Sequence, residues 1–471
     1  MAGSQQSTCS GCEALSHQVE RLKAELAELR GELAKARKNS ANSSKPPSSD
    51  ITKPPKNSDA TQGKAKKRKR GAQPGHPRHE RKPFDQAEID HFWDYTLHGC
   101  PDCHGPVELS DEPPRIIQQV ELVAAPIAIS EHRGLACWCP TCQKTHYAPL
   151  PDDIRRAGLA GPRLTALVAY LKGGCHCSFS TIRKFLRDVV GVKISRGQLR
   201  KLCGKVSDSL QASYEELLQM LPQQEVINTD ETGHKNNGQR MWTWCFRTAT
   251  FTLFKIDPSR SSQVLVDVLG TEFAGVLGCD YFSAYRKYMQ LNENVLVQFC
   301  LAHLIRDIKF LVEHPEPRNR AYGRRVLKAA KELFRLIHQR EQMAADQFAS
   351  QLVEAGETLW AEATSRIPYT AEAENLATRF WKHGKSYIRF ITTPNVEPTN
   401  NLAEQAIRFV VIDRLVTQGS RSEAGQRWLE RIWTTMATCA QQGRSVFEFM
   451  HESILAHFRN QAPLSLVPNT S

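Results

Sequence analysis

Three acidic residues, Asp230, Asp280 and Glu404, stand where a divalent-cation site could form. Asp230 lies in EVINTDETG and Asp280 in GVLGCDYFSAY, each closing an apolar, strand-like run. Thr399 or Asn400 can cap a helix that carries Glu404. Hard cations bind carboxylate oxygen, and three carboxylates can hold two Mg²⁺ (or Mn²⁺) ions about 3.5–4 Å apart. Such a pair neutralises a phosphodiester and activates an oxygen nucleophile. For any one of these residues the plain alternative is a solvated surface acid. Glu231 adjoins Asp230, but neighbouring strand residues face opposite ways, so one of the two points into the site, and we take it to be Asp230. Arg408 follows Glu404 at i+4 on the same helix face, and with Lys235 it is a candidate phosphate contact.

Four cysteines suggest a second chemistry. Cys100-Pro101-Asp102-Cys103 and Cys139-Pro140-Thr141-Cys142 are separated by 35 residues. Each pair presents two thiolates from one tight turn, and two turns complete a tetrahedron around a structural Zn²⁺. The gap suits a broad zinc-ribbon class, while a redox CxxC or unrelated buried thiols is the alternative. Cys137 and His146 are surplus to four ligands. The 14 cysteines do not form a disulfide-like framework, which points to a reducing compartment.

These groups need elements to hold them. Residues 224–440 alternate strand-like and helical runs. RMWTWCFRTAT and FTLFKI follow the first strand, then a helix near 262–269, then GVLGCD, then VLVQFCLAHLIRDIKFLVE as a strand running into a helix. That order is the order of an α/β RNase H-like fold, in which strands one and four are neighbours, so Asp230 and Asp280 converge. Residues 311–391 read as a helical insertion, and 441–471 as a C-terminal helical tail. Upstream, 161–220 is helical. There Gly191-Val192-Lys193 forms a turn and Ser195 caps RGQLRKLCGKV, a pattern shared by helix-turn-helix modules and plain helical hairpins. Residues 86–150 hold the paired cysteines, with IIQQVELVAAPIAISEH between them reading as strand-rich.

The N-terminal part is of another kind. Leu15, Val19, Leu22, Leu26, Leu29 and Leu33 alternate steps of four and three, a heptad seam that predicts a coiled coil over 13–38. Self-association or partner binding is expected from it, against a lone amphipathic helix packed on the body. Residues 39–85 are Ser-, Asn-, Pro- and Lys-rich and too polar to form a core, so they are expected to be a disordered basic linker. Net charge is +12, and fifteen basic residues against three acids lie between Lys35 and Lys82. The densest run includes Lys66, Lys67, Arg68, Lys69 and Arg70. Concentrated positive charge suits phosphate binding through counterion release; a solubilising tail is the alternative. No run of about 18 apolar residues exists to span a membrane, and the N-terminus lacks a signal-peptide pattern, so a cytoplasmic protein is expected, nucleoid-associated when on DNA.

Taken in order, these segments resemble the insertion sequence 66 family of bacterial transposases. The resemblance rests on the leucine-rich seam, NSSKPPSSD at 42–50, QPGH at 73–76 and the paired CPxC segment. TDETG at 229–233, DYFSAY at 280–285, CLAHLIRD at 300–307 and NNLAEQAIR at 400–408 complete it. It implies a DDE-type transposase whose three acids are Asp230, Asp280 and Glu404, acting on double-stranded DNA at element ends and on target DNA. The family's Cys-x-x-His falls on Cys300 and His303, which implies an accessory structural or DNA-positioning role; a core cysteine and a hydrogen-bonded histidine is the alternative. A homo-oligomer, and accessory proteins from the same element, are further implications. Departures are the dense KKRKR run and the thiols of CHCSFS at 175–180. A DNA-binding repressor, a nuclease that only hydrolyses, and a decayed transposase with an intact site are the rival readings.

Overall fold

The computed structural model describes residues 10–38, 42, scattered positions between 83 and 118, 126–141 and 143–468. Residues 1–54 and 131–471 form one compact unit and residues 55–130 a second. In the second, the backbone of Phe84 exchanges two hydrogen bonds with the Gln118 amide, at 2.6 and 2.9 Å.

The larger unit begins with helix α1 (Ser10–Ala36). Strands β1 (Ala136–Cys139) and β2 (Lys144–Tyr147) pair antiparallel around the turn that carries the second CPxC motif. The described residues of 116–132 form no strand, so pairing here belongs to this hairpin instead. Helices α2 (Asp152–Ala157), α3 (Pro162–Gly173), α4 (Phe179–Phe185), α5 (Arg196–Ser209) and α6 (Gln211–Met220) follow. One π-turn, 186–190, extends α4 to Gly191, whose φ of 81° ends it. Ser195 caps α5 by accepting from Gln198 N at 3.2 Å.

Next come β3 (Val226–Asn236), β4 (Gln239–Arg247), β5 (Thr252–Asp257), α7 (Gln263–Leu269), β6 (Val276–Cys279), α8 (Ser283–Leu291) and β7 (Leu296–Phe299). They form a mixed sheet in the order β5-β4-β3-β6-β7, antiparallel on the β5 side and parallel from β3 to β7. Strand β3 does not end at its acids. It continues to Asn236 because Asn237 and Gly238 take φ of 49° and 81°, the two positive values a tight hairpin turn needs, and β4 pairs back along its whole length.

After β7 the chain is helical: α9 (Leu301–Val312), α10 (Pro317–Ile337), α11 (Ala345–Thr364), α12 (Ala371–Tyr387) and α13 (Arg389–Thr392). Then follow α14 (Asn401–Thr417), α15 (Glu423–Gln441) and α16 (Val446–Phe458). Helix α15 seals the outer edge of the sheet. Thr438, Thr434 and Glu430, one turn apart, accept hydrogen bonds from the backbone N–H groups of Thr252, Phe254 and Ile256 at 3.1, 3.0 and 2.6 Å. Every second N–H of edge strand β5 is thereby satisfied, which blocks pairing with another chain. Beneath this contact Trp244, Phe246, Phe254 and Trp433 are fully buried. Phe449, Met450, Ile454 and Phe458 of α16 join the same core as Val206 of α5 and Leu210, which follows it. The helical segment and the C-terminal tail thus share one core with the sheet.

Candidate active site

The parallel register aligns Asn228 with Gly278, so Asp230 and Asp280 each stand two residues beyond a matched pair on neighbouring strands. Side chains two apart on a strand share a face, and parallel neighbours lie about 4.8 Å apart, so the two carboxylates emerge side by side. Asp230 lies two residues beyond the last parallel pair of β3, where its hairpin with β4 continues.

Glu404 reaches the same place through one residue. Asn400 precedes α14, yet its side chain does not cap that helix. Its Nδ2 instead donates to Thr229 O at 2.7 Å, and its Oδ1 accepts from Asn228 Nδ2 at 3.2 Å. Its backbone N–H donates to the Cys300 sulfur at 3.2 Å. Helix α14 is therefore fastened to β3 one residue before Asp230, with Glu404 in the helix's first turn. Gly278 makes the first tie possible: a Cβ there would lie 2.4 Å from Asn228 Nδ2, so the missing side chain is the space the amide crosses.

The electrostatics follow from this crowding. Asp230 is held well above the usual carboxylate range, by burial first and then by Glu231, Asp280 and Glu404. Burial also raises Asp280 and Glu404; Arg306 and Arg408 pull Glu404 back down. Three acids that repel each other in a poorly solvated place favour protons or cations among them. Glu404 Oε1 is a buried oxygen without a hydrogen-bond partner. The donor set suits Mg²⁺ or Mn²⁺ on chemical grounds.

Glu231 has a different setting. Its carboxylate is 2% exposed and accepts from Arg260 Nε and Nη2 at 2.8 and 2.6 Å and from the Tyr285 hydroxyl. Burial, then the Asp280 charge, pushes it up to about 7. Both of its oxygens are therefore hydrogen-bonded within the protein. Arg260 also stacks on the rings of Phe282 and Trp242, at 3.9 and 4.6 Å.

Cys300 precedes α9 and His303 lies in its first turn. His303 Nδ1 lies 3.5 Å from Glu404 Oε1, and Arg306 Nη2 lies 3.8 Å from Glu404 Oε2. Burial drives the His303 ring down to about 4, so it is neutral at physiological pH. Arg408 is exposed on α14 close enough to bias Glu404. Lys235 is not brought to the acids: it lies five residues along β3 from Asp230 and on the opposite face, roughly 16 Å away by strand rise. Its exposed side chain lies beside the α14–α15 connection instead, where its carbonyl accepts from Ser420 N at 2.9 Å.

Several candidates fall outside the described residues. These are Lys66, Lys67, Arg68, Lys69 and Arg70, together with Cys100 and Cys142. The side chain of Cys139 is also outside, and the fourth candidate zinc ligand, Cys103, is exposed. Other residues of the site went unread in the sequence: Asn228, Asn400 as a tie, Arg260, Tyr285 and Arg306. Tyr285 and Arg306 lie inside DYFSAY and CLAHLIRD, so the motifs held the signal.

Comparison with known proteins adds three findings. A family model described as "Transposase IS66 family" matches residues 157–427. A second, described as "Family of unknown function (DUF6444)", matches residues 6–82. The chain is also similar to "Uncharacterized protein y4qI" of Sinorhizobium fredii (strain NBRC 101917 / NGR234), 23% identical over 333 residues. That match covers 64% of this chain and 61% of the relative's length.

Proposed function

This chain belongs to the IS66 family of transposases, and from that premise we propose that it is a DDE-type enzyme that cuts DNA at the ends of its element and joins the freed strand to target DNA. The observation that carries the reading is the convergence of Asp230, Asp280 and Glu404, each from a different element, with Asn400 linking two of those elements. Mg²⁺ or Mn²⁺ held by these three carboxylates would supply charge neutralisation and an activated oxygen nucleophile.

The protein's own groups do the positioning. Asp230 and Asp280 are fixed by the β3–β6 register, and Glu404 by the Asn400 ties. Glu231, saturated by Arg260 and Tyr285, buttresses the strand without competing for a cation. Arg306 and Arg408 supply positive charge beside Glu404 for a phosphate backbone. In this reading the sheet and its flanking helices form an RNase H-like domain over 224–440, with 311–391 as its helical insertion.

The remaining segments complete the reading. Residues 39–85, with Lys66–Arg70, serve as a basic arm on DNA. Cys100, Cys103, Cys139 and Cys142 hold a structural Zn²⁺. The 86–150 and 161–220 segments recognise element ends. Helix α1 presents Leu15, Leu22, Leu26 and Leu29 to solvent, Leu29 at 62% exposure, so its seam is free to pair with a second copy over 13–38. No helix among the described residues is long and apolar enough to cross a membrane. Incubating the protein with labelled element ends tests the whole reading: joined products are expected, and hydrolysis without joining would mark a nuclease instead.

A further inference from the structure

The accessory pair beside the acids has donors of another kind. Cys300 Sγ, a His303 ring nitrogen and a Glu404 carboxylate oxygen all lie within 4.8 Å of one another. Two of these partners face each other without a bond between them. His303 Nδ1 and Glu404 Oε1 are buried, 3.5 Å apart, and neither has a hydrogen-bond partner. An imidazole nitrogen can offer a lone pair at Nδ1, and the carboxylate oxygen offers another. Two buried lone pairs aimed at one space are costly unless something positive sits between them.

The sulfur has donors of its own around it. The backbone N–H groups of Ala302, His303 and Asn400 are directed at Cys300 Sγ, the last at 3.2 Å. Burial raises the Cys300 thiol to about 11, and these amide donors work against that rise, toward the thiolate that binds metal. The spacing Cys-x-x-His at the start of α9 puts both ligands on one turn, while Glu404 arrives from α14. Oε1 of Glu404 faces His303, while Oε2, 3.8 Å from Arg306 and not hydrogen-bonded to it, remains for the catalytic cation.

We propose that Cys300, His303 and Glu404 form a site for a transition-metal ion of the Zn²⁺ class, with a fourth position open to water. Thiolate and imidazole are ligands that Mg²⁺ does not take and Zn²⁺ does. Zinc–ligand bonds of about 2.0–2.3 Å place tetrahedral donors roughly 3.5 Å apart, so the site closes by a small side-chain rotation. Binding displaces the Cys300 proton to solvent and leaves a sulfur–metal bond. The ion would cross-link the start of α9 to the start of α14 and hold Glu404 in place. Metal binding here does not require that the chain cut DNA, so the two readings fail separately.

The test is metal content of the full chain by elemental analysis after purification with Zn²⁺, in wild type, Cys300→Ser, His303→Asn and Asp280→Ala. The CPxC cysteines are common to all four and cancel in the differences. Cys300→Ser and His303→Asn are each expected to lose one equivalent of zinc per chain, and Asp280→Ala none. After exchange with Co²⁺, the wild-type-minus-Cys300→Ser difference spectrum should contain a thiolate-to-cobalt charge-transfer band in the near ultraviolet. Should Cys300→Ser fail to fold by circular dichroism, His303→Asn decides alone. Equal zinc content in wild type and folded His303→Asn would overturn the proposal.

Discussion

Asn400 Nδ2 donates to the carbonyl oxygen of Thr229 at 2.7 Å, so the residue that begins the helix of Glu404 is bonded to the residue that precedes Asp230. The two lie 171 positions apart in the chain. Through this bond the start of α14 is tied directly to β3. Replacing Asn400 by Ala leaves Thr229 O and Asn228 Nδ2 buried without partners. A loss of about 1–3 kcal/mol is expected, read by urea unfolding. Cleavage should fall further than the folded fraction does. Cleavage that tracks the folded fraction alone would show that the tie does not position Glu404.

Gly278→Ala tests the same tie from the other strand. The new Cβ would overlap Asn228 Nδ2 and force that amide off Asn400. The expected result is a smaller stability loss than for Asn400→Ala, with reduced cleavage, and little further effect when both changes are combined, because they remove one interaction. Fully additive losses would contradict the shared mechanism.

The acids themselves should cost stability when no cation is present. Asp280 has its folded-state pKa raised by burial. A raised acid binds its proton more tightly in the folded chain, so its contribution is fully present below about 3.8 and is lost as pH rises through the folded value. At pH 7.5 in chelator, Asp280→Asn is therefore expected to unfold at a higher temperature than wild type, by a few degrees. Added Mn²⁺ should stabilise wild type and leave the variant unmoved. An unfolding midpoint lowered by the substitution would contradict the repulsion.

Glu231 separates the two adjacent acids by pH as well as by role. Its pKa of about 7, set by burial and then by Asp280, means that its stabilising share is complete below about 4.5 and fades as pH rises through 7. Glu231→Gln should flatten the stability profile between pH 5 and 8 while keeping Mn²⁺ binding, since Asp230 and Asp280 are untouched. Asp230→Asn should instead lose Mn²⁺ binding with the fold retained. Calorimetric titration compares the two, and equal loss of Mn²⁺ in both variants would show that Glu231 is also a ligand.

The seam of α1 makes a prediction about assembly. Leu22 and Leu29 are 52% and 62% exposed and touch no core in the single chain. Changing both to Lys should leave the thermal unfolding of the body unchanged and reduce the mass measured by light scattering to that of one chain. An unaltered assembly would place the contact elsewhere.

The chain's own residue order made much of this legible. Apolar runs before Asp230 and Asp280 marked strands that do lie side by side, because local patterning decides strand or helix. The length of β3 was not legible from its acids: its last residues are polar, and the Asn237–Gly238 turn that extends it acts through pairing with β4. Asn400 read as a helix cap for the same reason. Its side chain can bond locally or across the fold, and only the packed structure shows that Thr229 and Asn228 win it. Lys235, a candidate phosphate contact, lies apart from the acids because a five-residue offset on a strand is both long and on the other face. The facing lone pairs of His303 and Glu404, a hundred residues apart, could not be read from motif spacing at all.

The most direct test is cleavage of labelled DNA that carries the sequences flanking the native gene, with Mg²⁺ or Mn²⁺, comparing wild type with Asp280→Ala. Metal-dependent nicking and joining by wild type, absent in a variant that still folds and binds the same DNA, is the predicted result. Equal cleavage by both proteins would contradict the assignment of Asp280 and, with it, the three-acid site.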